Sequence, residues 1–246
     1  MSLARMVKGF NRFRKLYFKK NNRYKALVND GQSPEVLFIA CSDSRNDPAM
    51  LTLSKPGDIF VVRNVAAIVP PYEPDDALHS ASAAIEFAVK ELKVKDIVVL
   101  GHSSCGGVGA LMEQGDDGDF EFLSQWMSVG SKARSLVKKK LSELPEEVKI
   151  KALEHAVILT SLKNLMTFPW VAKAVREKEL SLHGWYFDMS EGRLLSYNFL
   201  SEKFTELKDA EKGLSEGSIH SISLDGGGEI LSLENLIDNY TLLDKA

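Results

Sequence analysis

Residues 36–45 read VLFIACSDSR, and residues 97–107 read IVVLGHSSCGG. In each stretch, a short run of apolar residues ends abruptly in small, polar and potentially metal-binding side chains. Such runs are typical of parallel strands that are buried on both faces of a sheet. Because ligand crevices in open α/β sheets lie at the carboxyl ends of the strands, the two polar endings predict one shared site.

The segments around these two runs alternate between strand and helix patterns. A further apolar run covers 59–62, and a strand pattern over 180–187 is followed by residues 193–199, which could pair with it as a hairpin. Between 59–62 and the run at 97–100, apolar residues recur at helical spacing over 81–92. Strands joined by crossover helices predict an α/β fold with a mainly parallel β-sheet core flanked by helices.

The chain is expected to form a single domain over residues 1–246, since it shows neither internal repeats nor a linker. We divide it into an N-terminal helical arm (1–29), a core (30–199) and a C-terminal extension (200–246). The glycine triplet at 226–228 follows no strand-and-lysine context, so it predicts a turn and not a phosphate-binding loop.

The N-terminal arm is strongly basic and amphipathic. Residues 1–29 hold nine of the 31 Lys and Arg side chains and no acidic one, so 22 basic residues stand against 34 acidic ones in the remainder. Apolar residues recur in the arm at helical spacing. It could be a membrane-surface or targeting helix, or bind nucleic acid. The charge contrast favours a third role, packing on the acidic body of its own or a neighbouring subunit.

Composition places the chain among ordinary globular proteins. It has 246 residues, of which 44% are hydrophobic and 26% charged, and a net charge of −3; these values argue against a disordered or fibrous protein. No stretch reaches the roughly 18 uninterrupted apolar residues of a membrane span. No secretory leader is recognisable either. We therefore expect a cytoplasmic protein, and the near-neutral charge predicts no nucleic-acid or membrane partner.

The polar endings of the two strands contain every cysteine of the chain. Two cysteines are too few for a disulfide scaffold, so Cys41 and Cys105 are buried hydrophobes, nucleophiles or metal ligands. With His102 they form a ligand set suited to tetrahedral Zn²⁺, and three protein ligands leave a fourth position for water. Asp43 is close enough in sequence to supply that fourth ligand. Arg45 could instead hold Asp43 by a bidentate ion pair and aim its carboxylate at the bound water.

The motifs CSDSR at 41–45 and GHSSCGG at 101–107 resemble those of the β-class carbonic anhydrases. The resemblance implies one zinc ion per chain, bound by Cys41, His102 and Cys105, with Asp43 and Arg45 as the dyad beside it. It also implies reversible hydration of carbon dioxide to bicarbonate and a proton, by attack of zinc-bound hydroxide. By the same resemblance, the active unit is a homodimer or a higher homo-oligomer.

The resemblance leans toward the plant-like branch of that family. It implies that Gln32 reaches the site of a neighbouring subunit and hydrogen-bonds the substrate, although a plain surface-loop position is the alternative. It also implies that Phe60 and Val65 line an apolar pocket for carbon dioxide. Two positions depart from the branch. Phe87 replaces the usual tyrosine, so it can line the pocket but cannot donate a hydrogen bond, and Ala67 replaces an asparagine.

Three other functions stay open from the sequence. The first is a hydrolase of the same fold that acts on CS₂ or COS. The second is a structural or regulatory zinc protein in which Asp43 closes the metal site permanently. In the third, Cys41 is a redox or phosphatase nucleophile, which the presence of His102 and Cys105 disfavours. The histidines outside the two motifs are expected to be structural or surface residues: His79, His155, His183 and His220.

Overall fold

The computed structural model describes residues 2–19, 23–113, 120–207 and 232–243. The strands are β1 (Val36–Cys41), β2 (Ile59–Asn64), β3 (Asp96–His102), β4 (Ser181–Asp188), β5 (Arg193–Asn198) and β6 (Lys203–Glu206). The helices are α1 (Leu3–Arg14), α2 (Arg23–Asp30), α3 (Pro48–Leu51), α4 (Ser80–Lys90), α5 (Gly106–Glu113), α6 (Glu121–Met127), α7 (Ser131–Lys140), α8 (Glu146–Leu165), α9 (Pro169–Arg176) and α10 (Leu233–Leu243). A π-turn at Lys15–Lys19 and 3₁₀ turns at Val65–Ala67 and Ser128–Gly130 complete the described elements.

The strands form one sheet in the order β2-β1-β3-β4-β5-β6. The first four strands in this order are parallel, and β5 and β6 continue the sheet in antiparallel pairs. The predicted α/β fold with a mainly parallel sheet is therefore confirmed, and so is the hairpin of β4 and β5. The sequence did not indicate β6, because its four residues alternate between charged and less polar side chains without an apolar run.

The site-bearing strands lie at the centre of the sheet. β1 and β3 are neighbours, and their apolar runs are buried on both faces, as the uninterrupted patterns predicted. Helix α8 packs across β3 near its carboxyl end, where a Cβ atom on Gly101 would lie only 2.7 Å from Ile158 Cδ1. The glycine before His102 therefore allows this helix to approach the strand closely.

The arm makes few contacts with the body of its own chain. Helix α1 contains no buried residue, and Leu3 and Phe10 are among its exposed apolar side chains. Arg23 of α2 donates a hydrogen bond to the Pro56 carbonyl (2.9 Å) and pairs with Asp58. The body of the same chain therefore does not cover α1. Packing of the arm on a neighbouring subunit stays a prediction.

Helix α10, in the C-terminal extension, packs on α7 and α8. Lys140 pairs with Asp238 at 2.7 Å, and the Tyr240 hydroxyl lies 2.5 Å from Nδ1 of the buried His155.

His79 and His183 pair with carboxylates of neighbouring segments. His220 and the glycine triplet at 226–228 lie outside the described residues, and the domain division stays a prediction. None of the described helices is both long and apolar enough to cross a membrane.

Candidate metal centre

Three potential metal ligands meet where β1 and β3 end. Cys41 is the last residue of β1 and His102 the last of β3, so the parallel pairing of the two strands places them side by side. Cys105 lies directly before α5. One ligand atom from each residue lies within 4.8 Å of the other two, and all three residues are buried. The structure thus brings together the three residues that the sequence assigned to a metal.

The spacing of the donor atoms fits a tetrahedral ion. The two sulfur atoms are 3.9 Å apart and both cysteines are free, whereas a disulfide needs a separation of about 2.05 Å. Two thiolates bound to one zinc ion at ~2.3 Å lie ~3.8 Å from each other when the geometry is tetrahedral. The observed separation of the Cys41 and Cys105 sulfur atoms therefore fits two ligands of one tetrahedral ion.

The surroundings of His102 also fit a metal ligand. Its Nδ1 lies 2.9 Å from the Ser103 carbonyl, so this nitrogen carries the hydrogen and Nε2 is the free ring nitrogen. Nε2 is buried and has no hydrogen-bond partner among the described residues. Buried polar atoms are rarely left unpaired. A metal-binding histidine has this arrangement, with one nitrogen held by a carbonyl and the other on the metal.

The two thiols influence each other's protonation. The hydrogen bond between them lowers the pKa of Cys41 and raises that of Cys105, and burial opposes ionisation of both. The Asp43 backbone N–H also points at Cys41 Sγ, at 3.5 Å, and further stabilises the thiolate form. Ionisation of one thiol therefore opposes ionisation of the other. A divalent cation favours ionisation of both thiols.

Asp43 and Arg45 form a bidentate pair beside these ligands. Asp43 Oδ1 accepts hydrogen bonds from the Arg45 backbone N–H (2.9 Å) and from Nε (3.0 Å), and Oδ2 accepts one from Nη2 (2.7 Å). The hydrogen bonds from Arg45 hold the pKa of Asp43 far below its usual value, so the carboxylate is ionised at neutral pH. Its Oδ2 lies 4.0 Å from His102 Nε2, close to the three ligand atoms.

A small cavity of about 10 Å³ lies at the ligands. That volume is close to the minimum for one water molecule. The cavity is lined by Cys41, Ala66, Gly101, His102, Cys105, Val108 and Glu154. The residues that the resemblance assigned to substrate binding do not line it within one protomer: Gln32, Phe60, Val65 and Phe87.

The four substrate-binding candidates instead lie toward the protomer surface. Phe60 and Phe87 pack on each other with ring centroids 5.9 Å apart, and Phe87 is 44% exposed. Val65 follows β2 in a short turn, and Trp126 Nε1 donates a hydrogen bond to the Val65 carbonyl (2.9 Å). Gln32 lies exposed in the loop before β1. The roles of these four residues in substrate binding stay predictions.

Two charged residues, Arg63 of β2 and Glu154 of α8, contact the loops that carry the ligands. The sequence patterns did not point to either residue. Glu154 is only 3% exposed. Its Oε1 accepts a hydrogen bond from the Cys105 backbone N–H (3.0 Å), and its Oε2 accepts one from the Tyr186 hydroxyl (2.7 Å). Burial raises its pKa. A charged residue inside the apolar stretch 152–159 was the available signal, because such residues are rarely buried without a partner.

Replacing Glu154 with glutamine is expected to lower the free energy of unfolding by about 1–3 kcal/mol. An amide has one accepting oxygen, so either the Cys105 N–H or the Tyr186 hydroxyl loses its acceptor in a buried place. Urea denaturation at one fixed protein and zinc concentration measures the effect. Glu147→Gln, an exposed change on the same helix, is the matched control. Equal stabilities of the two variants would contradict the structural role of Glu154.

Comparisons with known proteins decide the family. The family model described as carbonic anhydrase matches residues 36–194. The chain is 43% identical over 185 residues to β carbonic anhydrase 5, chloroplastic, of Arabidopsis thaliana, an alignment that covers 74% of this chain and 60% of that protein. This chain belongs to the β-class carbonic anhydrases. It therefore spans about three fifths of the length of its Arabidopsis relative.

Other relatives match over most of their length. The carbonic anhydrase of Pseudomonas aeruginosa is 37% identical, with 83% of this chain and 91% of that protein aligned. The solved structure of the β-carbonic anhydrase CcaA has a TM-score of 0.78 at 35% identity and covers 85% of this chain and 93% of its own. A tetrameric β-carbonic anhydrase from Sordaria macrospora has a TM-score of 0.71 at 31% identity, covering 78% and 95%. The fold resemblance thus extends well beyond the metal-centre motifs.

Proposed function

We propose that this chain catalyses the reversible hydration of carbon dioxide to bicarbonate and a proton, with one Zn²⁺ held by Cys41, His102 and Cys105. The observation that carries the proposal is the buried Cys-His-Cys cluster, in which His102 Nε2 has no hydrogen-bond partner among the described residues. When bound, zinc supplies a water molecule whose pKa is lowered to about 7, and so a nucleophile at neutral pH.

Asp43 is proposed to orient the attacking oxygen. Its carboxylate lies next to the ligand atoms and can accept a hydrogen bond from that oxygen, which directs a lone pair toward the substrate carbon. Arg45 holds the carboxylate through both of its oxygens, so the pair keeps one orientation. The same contacts oppose the alternative in which Asp43 closes the metal site, because the carboxylate would have to leave Arg45.

The apolar substrate needs a pocket without strong polar contacts. We propose that Phe60, Val65 and Phe87 provide it, and that Gln32 of a neighbouring subunit donates a hydrogen bond to the developing oxyanion. The exposure of Phe87 and Val65 supports a pocket completed across a subunit contact. A homodimer is therefore the smallest unit that we propose to be active, and the tetrameric Sordaria macrospora relative supports an oligomer.

The proposed cellular location is the cytoplasm. The Arabidopsis relative, in contrast, is named as chloroplastic. The basic arm also keeps an organelle-targeting alternative open.

Stopped-flow assays of carbon dioxide hydration at pH 7 and pH 8.5, with zinc measured in the same sample, test the function. We expect activity at both pH values with one zinc per chain, because Asp43 is ionised and held by Arg45 over this range. Activity at pH 8.5 alone would favour a site that Asp43 closes at neutral pH. Full zinc without activity at either pH would reject the anhydrase proposal and favour a structural zinc site or another substrate.

A further inference from the structure

The turn after β2 contains two successive alanines in the left-handed region of backbone conformation. Ala66 has φ 63° and ψ 17°, and Ala67 has φ 55°. This region is unfavourable for a residue with a Cβ atom, because that atom comes too close to a carbonyl oxygen. Alanine also lacks the short polar side chain with which asparagine or aspartate compensates. Backbone of this kind persists only where the surrounding structure holds it, and it is concentrated at functional sites.

This turn lies against both halves of the metal centre. Ala66 lines the small cavity at the ligands. Its backbone N–H also interacts with Cys41, whose pKa is lowered most by the Cys105 thiol and in smaller part by this group. A Cβ atom on Gly107, in the first turn of α5, would lie 2.6 Å from Val65 Cγ1 and 3.3 Å from Ala66 Cβ. The turn therefore packs between the segments that carry Cys41 and Cys105.

Ser161 of α8 holds the end of this turn. The residue is fully buried, with 0% exposure. Its hydroxyl donates a hydrogen bond to the Ala67 carbonyl (3.2 Å) and accepts one from the Val69 N–H (3.1 Å). One helical turn further on, Asn164 Nδ2 donates to the Val69 carbonyl (2.8 Å). The turn is thus held by a helix that lies 92 to 95 positions away in the sequence.

Helix α8 also holds the loop of Cys105. Glu154 accepts the hydrogen bond from the Cys105 N–H, and Ser161 follows Glu154 by about two helical turns, so both side chains lie on one face of α8. Asn64, in contrast, closes the turn from within, through 2.9 Å hydrogen bonds between its side chain and the Ile68 backbone. Those bonds fix the shape of the turn, whereas Ser161 fixes its position relative to the ligands.

We propose that Ser161 is a positioning residue of the metal centre. Its hydroxyl keeps the left-handed turn 65–67 against α8, so that Ala66 stays beside Cys41 and closes the cavity at the ligands. The effect on metal binding rests on the proposed ligand set, and the effect on rate rests also on the proposed hydration reaction. The effect on the turn itself rests on neither.

Hydrogen–deuterium exchange measures the turn directly. In Ser161→Ala, we expect amides of peptides covering 65–69 to exchange about tenfold faster or more, because the Val69 N–H loses its acceptor and the turn opens more readily. Peptides covering 97–101 of β3 should be unchanged. Thr160→Ala is the matched control, since the Thr160 hydroxyl donates to the Ala156 carbonyl of its own helix (2.8 Å). That variant should exchange like the parent over 65–69.

Competition with a chelator measures the zinc affinity of the same variants. Ser161→Ala should bind zinc about 10- to 100-fold more weakly than the parent, as is usual for the loss of a group that orients metal ligands. Thr160→Ala should keep the parent affinity. In the carbon dioxide assay at saturating zinc, Ser161→Ala should lower kcat by about tenfold or more, because the wall of the reaction cavity is displaced.

Cobalt substitution separates positioning from a general effect on stability. With Co²⁺ in place of zinc, the thiolate-to-cobalt absorption of Ser161→Ala should shift to longer wavelength, because the Ala66 N–H no longer stabilises the electrons of the Cys41 sulfur atom. A residue that served only the stability of the whole protein would leave this absorption unchanged. Thr160→Ala should have the spectrum of the parent.

Parent-like exchange over 65–69 in Ser161→Ala would overturn the proposal, as would a parent-like zinc affinity or cobalt spectrum. If the parent does not hydrate carbon dioxide, the proposed function fails, while exchange and the cobalt spectrum still decide the role of Ser161. If Ser161→Ala does not fold, Ser161→Cys takes its place, because a thiol is a weaker hydrogen-bonding group than a hydroxyl. Ser161 does not line the cavity at the ligands, so the new thiol is not placed to bind the metal.

Discussion

Asp43→Asn is expected to lower kcat for carbon dioxide hydration by ~100-fold or more, while one zinc per chain stays bound. Asparagine has nearly the shape of aspartate, but its amide group offers only one accepting oxygen. It cannot accept the hydrogen bonds that reach both oxygens of Asp43 from Arg45. Its NH₂ group also cannot accept a hydrogen bond from the attacking oxygen. Stopped-flow rates and zinc content of the same sample measure the two effects.

The matched control for this change is Asp75→Asn. Asp75 has a similar local arrangement, because its Oδ1 accepts hydrogen bonds from the Ala77 N–H (2.8 Å) and from His79 (2.6 Å). It has no place in the proposed chemistry, so this variant should keep the parent rate within about twofold. Hydration at the parent rate by Asp43→Asn would show that the dyad is not part of the mechanism.

Cys105→Ser is expected to abolish stoichiometric zinc binding and to reduce hydration to the uncatalysed rate. Loss of a partner that only orients a ligand costs roughly 10- to 100-fold in metal affinity, and loss of a ligand itself should cost more. Serine keeps the size of cysteine but is not ionised at neutral pH. The site would then have two strong ligands, Cys41 and His102. Elemental analysis after dialysis, at equal protein concentrations, measures the metal content.

Ser104→Ala is the control at the neighbouring position. It removes a hydroxyl group one residue from Cys105 and leaves the Ser104 carbonyl, which accepts a hydrogen bond from Arg45 (3.2 Å), in place as an alanine carbonyl. This variant should keep one zinc per chain. One zinc per chain in Cys105→Ser would remove Cys105 from the ligand set and reopen the assignment of the cluster.

Much of the central fold follows from local sequence patterns. The runs that became β1 and β3 are apolar because these parallel strands are buried on both faces of the sheet. The run that became β2 lies at the sheet edge and contains no buried residue. The periodicity over 81–92 predicted α4, which the structure places at Ser80–Lys90. In contrast, β6 contains only four residues and pairs at the sheet edge, so burial imposes little pattern on it.

The candidate site likewise contains residues that the sequence predicted and residues that only the structure revealed. Cys41, Asp43, Arg45, His102 and Cys105 lie within two short motifs, and their chemistry is readable because spacing along a strand end limits where the side chains can go. Glu154 contacts Cys105 across 49 positions of the chain, and Arg63 contacts Cys41 across 22. No local pattern connects residues that far apart. None of the four substrate-binding candidates, Gln32, Phe60, Val65 and Phe87, lines the small cavity at the ligands, so their roles stay predictions.

The sequence by itself determined the α/β class of the core, its main strands and the set of potential metal ligands. Burial demands uninterrupted apolar strands, and metal binding demands particular donor atoms at the strand ends. Only the tertiary structure decided which outside residues hold the two ligand-bearing loops. Arg63 reaches one loop from the edge strand, and Glu154 reaches the other from a helix packed over β3. Those contacts arise from the packing of distant segments, since a hydrogen bond depends on the distance between atoms in space and not along the chain.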